Sequence, residues 1–107
     1  MPALEISPVK VGQIIILARD PGRVEAELDE FIAAMNEDEQ AELVALMWIG
    51  RGAFEADDWD EALATARGQA TTPTADYLKG SPHLADHLEA GLDALGIDPE
   101  EAEDAVY

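Results

Sequence analysis

Cysteine is absent from this 107-residue chain, which excludes disulfides, thiolate metal sites and cysteine nucleophiles. Basic residues are scarce: 6 Lys and Arg stand against 24 Asp and Glu, a formal net charge of −18. Such a field repels phosphate backbones and anionic lipid, so direct contact with nucleic acid or a membrane surface is disfavoured. Long apolar runs are missing too. Runs such as Ile14 to Ala18 and Leu43 to Ile49 fall far short of the roughly 20 residues that span a bilayer. The opening MPALEISPVK has no basic segment followed by a long apolar one, so no signal peptide is read and a soluble, cytoplasmic protein is expected.

What is present is a set of helix starts. Five of the six prolines follow a good N-cap residue: Ser7-Pro8, Asp20-Pro21, Thr72-Pro73, Ser81-Pro82 and Asp98-Pro99. Proline suits the first helical position because the N–H it lacks would have no intrahelical partner there. Asn36 and the pair Asp57 and Asp58 mark two more starts, and nineteen alanines supply intrinsic helicity. Residues 1–107 therefore read as one all-α domain, a compact bundle of five to six helices large enough to bury its own core.

The bundle should be built around residues 36–59. Asn36 and Glu39 have the spacing of a reciprocal capping box, and Glu37, Asp38 and Glu39 complement the positive end of the helix dipole. Leu43, Val44, Leu46, Met47, Trp48 and Ile49 are too many apolar positions for one stripe, which predicts a central helix over 37–49 buried on several sides. Gly50 or Gly52 should end it, glycine entering the left-handed region cheaply. Phe54 is expected to fold back, and Trp59 to open the next helix.

Further helices are predicted at 8–19, 21–35, 58–68, 73–79 and 82–95, with an acidic turn after Asp98. In the second, Val24, Leu28, Phe31, Ile32 and Met35 make an ordinary one-sided stripe; in the last, Leu84, Leu88, Leu92 and Leu95 do the same. The first carries Val11, Ile14, Ile15, Leu17 and Ala18. It reads as apolar on more than one side, and two such helices are more than the middle of a small bundle is expected to hold. A homodimer covering Ile15 and Ile16 would resolve that.

Three constellations invite chemistry. His83 and His87, four apart, could share a helix face as zinc ligands do, with Asp86 as a nearby carboxylate for a metal-dependent hydrolase. The general-base glutamate of the zinc-protease helix is missing, Leu84 standing in its place, and no third ligand is specified; no metal site or cofactor is therefore assigned. Asp57, Asp58, Asp60 and Glu61 lack the alternation and turn glycine of a calcium loop, and a helix start explains them. Arg51 between Gly50 and Gly52 could offer a guanidinium and free amides to an anion, with Tyr77 as a further candidate interaction residue; the simpler expectation is a salt bridge to Glu55 or Asp58. No catalytic triad, P-loop or dinucleotide fingerprint occurs, and no catalytic residue is named.

The stretches NEDEQAELVAL from Asn36, WIGRG from Trp48 and WDEA from Trp59, followed by TADYLKGSP from Thr74 and LEAGL from Leu88, resemble a bacterial family, domain of unknown function 3775. The opening Ile6-Ser7-Pro8 is similar to that family as well, so the likeness spans about 6–96. Family members often carry a longer acidic insert where this chain has only 20–23, and leucine and tyrosine where His83 and His87 stand, which weakens the zinc reading. The resemblance implies a small all-α domain and brings no activity or cofactor.

The functional expectation is a non-catalytic interaction or regulatory domain, with a protein partner or a second copy of itself. Acids on nearly every helix argue for general solvation over an acidic nucleic-acid mimic, the third alternative.

Overall fold

The computed structural model describes residues 6–19, 24–68, 74–81 and 83–104. Within them the chain forms α1 (Pro8–Arg19), α2 (Val24–Ala33), α3 (Glu37–Arg51), a 3₁₀ turn (Ala56–Asp58), α4 (Trp59–Gly68), α5 (Thr74–Lys79), α6 (Leu84–Ala94) and α7 (Pro99–Asp104), and the described residues contain no strand. Five of the seven α-helices have seven residues or more, so the five-to-six-helix expectation counts the long ones and the short α5 and α7 add to it. The Cα radius of gyration is 12.5 Å, that of a globule of this length, about 13 Å. Among the described residues no helix is long and apolar enough to cross a membrane. The caps Asp20-Pro21, Thr72-Pro73 and Pro82, the 20–23 link and the 69–72 connector lie outside the described residues.

Helix α3 begins as its sequence dictates. The Asn36 side chain accepts from the Glu39 amide at 2.7 Å, and Glu39 accepts from the Asn36 amide at 3.1 Å. The helix then runs past Gly50 to Arg51 and ends at Gly52, at φ 87° and ψ 8°. Of the two glycines only Gly52 takes the left-handed turn. Its N–H donates to the Ile49 carbonyl, and the Ala53 N–H reaches back to Trp48, which closes the last turn.

Every residue from Ala41 to Ile49 is buried, as a helix apolar all round requires. Helix α6 crosses α3 on one side, and α4 and α5 pack elsewhere on it. Helix α1 reaches burial differently: α7, α6 and α2 surround its inner face. The two most apolar helices thus each have their own neighbours, with α6 between them, and the premise that both could not be buried in one small bundle does not hold. Ile15 is fully buried within this single chain, so it is not available to a second copy.

Two glycines decide how closely α6 approaches α3. A Cβ on Gly50 would lie 1.7 Å from the His87 carbonyl oxygen, and one on Gly91 would lie 2.3 Å from the Leu46 carbonyl oxygen. The helices touch backbone to backbone there, and Gly50 serves this crossing instead of ending the helix. Helix α6 itself starts at Leu84, two residues later than expected, because His83 takes a left-handed conformation at φ 58° just before it.

Candidate functional site

At its N-terminal end, α3 carries the two buried charged side chains of the described core, Glu39 and Glu42. Glu42 accepts the Ile6 amide at 3.0 Å, with Ile6 itself fully buried. Glu39 receives the Lys10 ammonium at 2.6 Å besides its capping contacts. These bonds fasten the segment leading into α1 against α3. The sequence marks Glu39 only as a cap and does not single out Glu42. A carboxylate set inside the run Ala41–Ile49 was the available signal, since a charge among core positions has to be paired.

The Lys10 hydrogen bond, then the Asn36 backbone amide, hold the Glu39 carboxyl below the ordinary glutamate range. A carboxyl with a lower pKa folded than unfolded stabilises the fold fully above its unfolded value, and that contribution is lost as pH falls through the folded value. Glu39→Gln keeps a capping side chain but removes the charge. We expect it to cost about 1 kcal/mol at neutral pH, Lys10 being half-exposed to solvent. Urea midpoints across pH should show the variant and parent converging at acid pH. A constant gap down to pH 2 would show that the charge is not the stabilising feature.

At the other end of α3 lies an aromatic group. The Trp48 indole N–H donates to the Tyr77 hydroxyl at 2.9 Å, and the Phe54 ring lies 5.7 Å from Trp48, tilted by 30°. Trp48 is buried, Phe54 half-buried and Tyr77 37% exposed. The backfolding of Phe54 follows from the Gly52 turn. Arg51 is exposed in the last turn of α3, where a cation complements the negative end of the helix dipole. The expected salt bridge to Glu55 or Asp58 is absent: among the described residues Arg51 has no ion-pair partner. The amides of Gly52 and Ala53 are already donated to helix carbonyls, so this turn presents a guanidinium without the free amides considered above. Gly50 is packed against α6 and takes no part in this surface.

The third region is the start of α6. The His83 and His87 rings stand edge to face with centroids 6.4 Å apart. Asp86 points to Arg19 of α1 at 3.3 Å, and Glu89 also pairs with that guanidinium. Among the described residues no group of three His, Asp or Glu is placed to hold a metal ion. His83 lies just before the helix, so the two histidines do not share a helical face in the i, i+4 manner. The acidic cluster at Asp57, Asp58, Asp60 and Glu61 is exposed and falls in the first turns of the 3₁₀ segment and α4, where the dipole accounts for it.

A family model described as "Protein of unknown function (DUF3775)" matches residues 25–97, more than half of the chain. The match covers α2 to α6 and leaves out α1, which the likeness quoted above had included. No curated protein and no solved structure matches.

Proposed function

For this chain, which belongs to the DUF3775 family, we propose a non-catalytic interaction or regulatory role toward a basic protein partner in the cytoplasm. One observation carries the reading. The cations of α1 and α4 are engaged by the domain's own carboxylates: Lys10 with Glu39, Arg19 with Asp86 and Glu89, and Arg67 with Asp38 at 2.9 Å. Among the described residues, Glu27 and Glu30 of α2, Glu37 of α3, Asp60 and Glu61 of α4 and Asp93 of α6 are exposed, in a chain of net charge −18. An outward field of one sign steers partners of the opposite sign and weakens with salt. The aromatic end of α3, with Tyr77 and Phe54, gives that partner a fixed contact, since the Tyr77 hydroxyl is held by Trp48.

Affinity capture from the native source at low and high salt tests this. We expect a small set of basic proteins, released by salt and reduced by Tyr77→Ala. Recovery of proteins no more basic than the lysate, insensitive to both salt and Tyr77, would remove the reading. Release of the partner by added DNA or RNA would favour the acidic-mimic alternative instead.

A further inference from the structure

Two helices lie outside the matched span 25–97, α1 before it and α7 after it, and they pack on each other. They are held very differently. Helix α1 has fixed ties to the matched part of the chain: Lys10 to Glu39 of α3, and Arg19 to Asp86 and Glu89 of α6. Just ahead of it, the Ile6 amide donates to Glu42. Helix α7 packs chiefly on α1 and more lightly on α6. Its six residues, PEEAED, offer only Pro99 and Ala102 as apolar groups against four acids. Glu100 and Glu101 are exposed and have no ion-pair partner among the described residues. Two more exposed acids, Asp93 and Asp98, stand just before the helix. Beneath it, Val11, Ile14 and Ile15 of α1 are fully buried.

We propose that α7 is an ionic-strength-dependent cover on α1, closed when its charge is screened and lifted when it is not. Apolar burial stabilises in proportion to the area removed from water, and α7 has little such area to remove. Docking also brings its acids against a body that is itself acidic, the whole chain carrying a net charge of −18. That repulsion reaches across about 30 Å at 0.01 M salt but only about 3 Å at 1 M. Segments with few buried apolar contacts open at the low end of a protein's stability range, so the balance at α7 is one that salt can tip. The ties of α1 to α3 and α6 keep that helix in place when α7 lifts. What opens is the part of its apolar inner face that α7 covers.

Hydrogen exchange of the full chain, read by mass spectrometry at low and high sodium chloride, is the test, with α3 as internal reference. We expect protection of α7 and α1 to rise severalfold with salt relative to α3. Glu100→Gln combined with Glu101→Gln should raise the low-salt protection and shrink that rise. Both side chains are exposed, so circular dichroism should find the double variant as helical as the parent. The sign of the effect is diagnostic. The ion pairs that hold α1 weaken with salt, so protection of α1 would fall if they alone governed this layer. A fall, no change, or an equal rise in α3 overturns the proposal. So does a double variant that keeps the parent's full response to salt.

Discussion

Gly50→Ala should be the most damaging single methyl group that can be added to this protein. In an exposed helix interior the same change stabilises by up to about 1 kcal/mol, because alanine is the better helix former. Here the new Cβ would lie 1.7 Å from the His87 oxygen, 2.6 Å from the His87 carbonyl carbon and 2.9 Å from the Gly91 nitrogen. All three are backbone atoms of α6, which no rotamer change can move aside. Helix α6 must shift away from α3, and the contacts of Leu88 and Leu92, both fully buried, loosen with it. Overpacking costs about 1–3 kcal/mol where side chains can give, and a backbone clash should exceed about 3 kcal/mol. At about 4–8 °C per kcal/mol for a domain near this size, the melting temperature should fall by more than about 10 °C.

Two other glycines supply the scale. Gly52→Ala meets nothing within 4 Å but forces alanine into φ 87°, so it should cost about 1–2 kcal/mol. Gly68→Ala, at the open end of α4 with nothing within 4 Å, should be neutral or mildly stabilising. Thermal melts of the three variants should rank Gly50 far below Gly52, and Gly52 below Gly68. A Gly50→Ala melt within a few degrees of the parent would mean that the helices do not meet backbone to backbone.

That crossing also marks where the sequence stops being readable. Capping and turn chemistry are local, and they placed the Asn36–Glu39 box and the leucines of α6 without reference to the rest of the chain. Gly50 looked like punctuation because a glycine near a helix end usually is, and only the presence of α6 shows why the helix continues through it. Gly91 carries the same message from the other side. Glu42 and Ile6 are 36 residues apart, and nothing in either neighbourhood announces the other. Arg51 fails in the opposite direction: near carboxylates in sequence do not become partners when the Gly52 turn sets the direction of the chain. As for function, the resemblance named the family, while the surfaces proposed for it rest on exposure, which sequence patterning gave only for one-sided helices. Helix α1, apolar on both sides, concealed which of Ile15 and Ile16 faces outward.

Trp48→Ala should cost about 3–5 kcal/mol, the range for truncating a buried tryptophan. Trp48 is 7% exposed and joins three parts of the chain: α3, to which it belongs; Phe54, beyond the Gly52 turn; and Tyr77 on α5. Trp48→Phe separates the two things the side chain does. It keeps an aromatic ring against Phe54 but removes the indole donor, and the Tyr77 hydroxyl, near the surface, can turn to water. A lost hydrogen bond with a rehydrated partner is worth about 0.5–1.5 kcal/mol, to which a modest loss of ring volume adds. Trp48→Phe should therefore recover more than half of the stability lost in Trp48→Ala, as measured by urea unfolding followed by circular dichroism. The remaining tryptophan, Trp59, is itself 4% exposed and serves as an internal fluorescence reporter in both variants. Its emission should stay blue-shifted in Trp48→Phe under native conditions, because Trp59 is buried in its own right. Equal losses in the two variants would shift the weight from burial to the Tyr77 bond and make α5, not α3, the element that Trp48 chiefly stabilises.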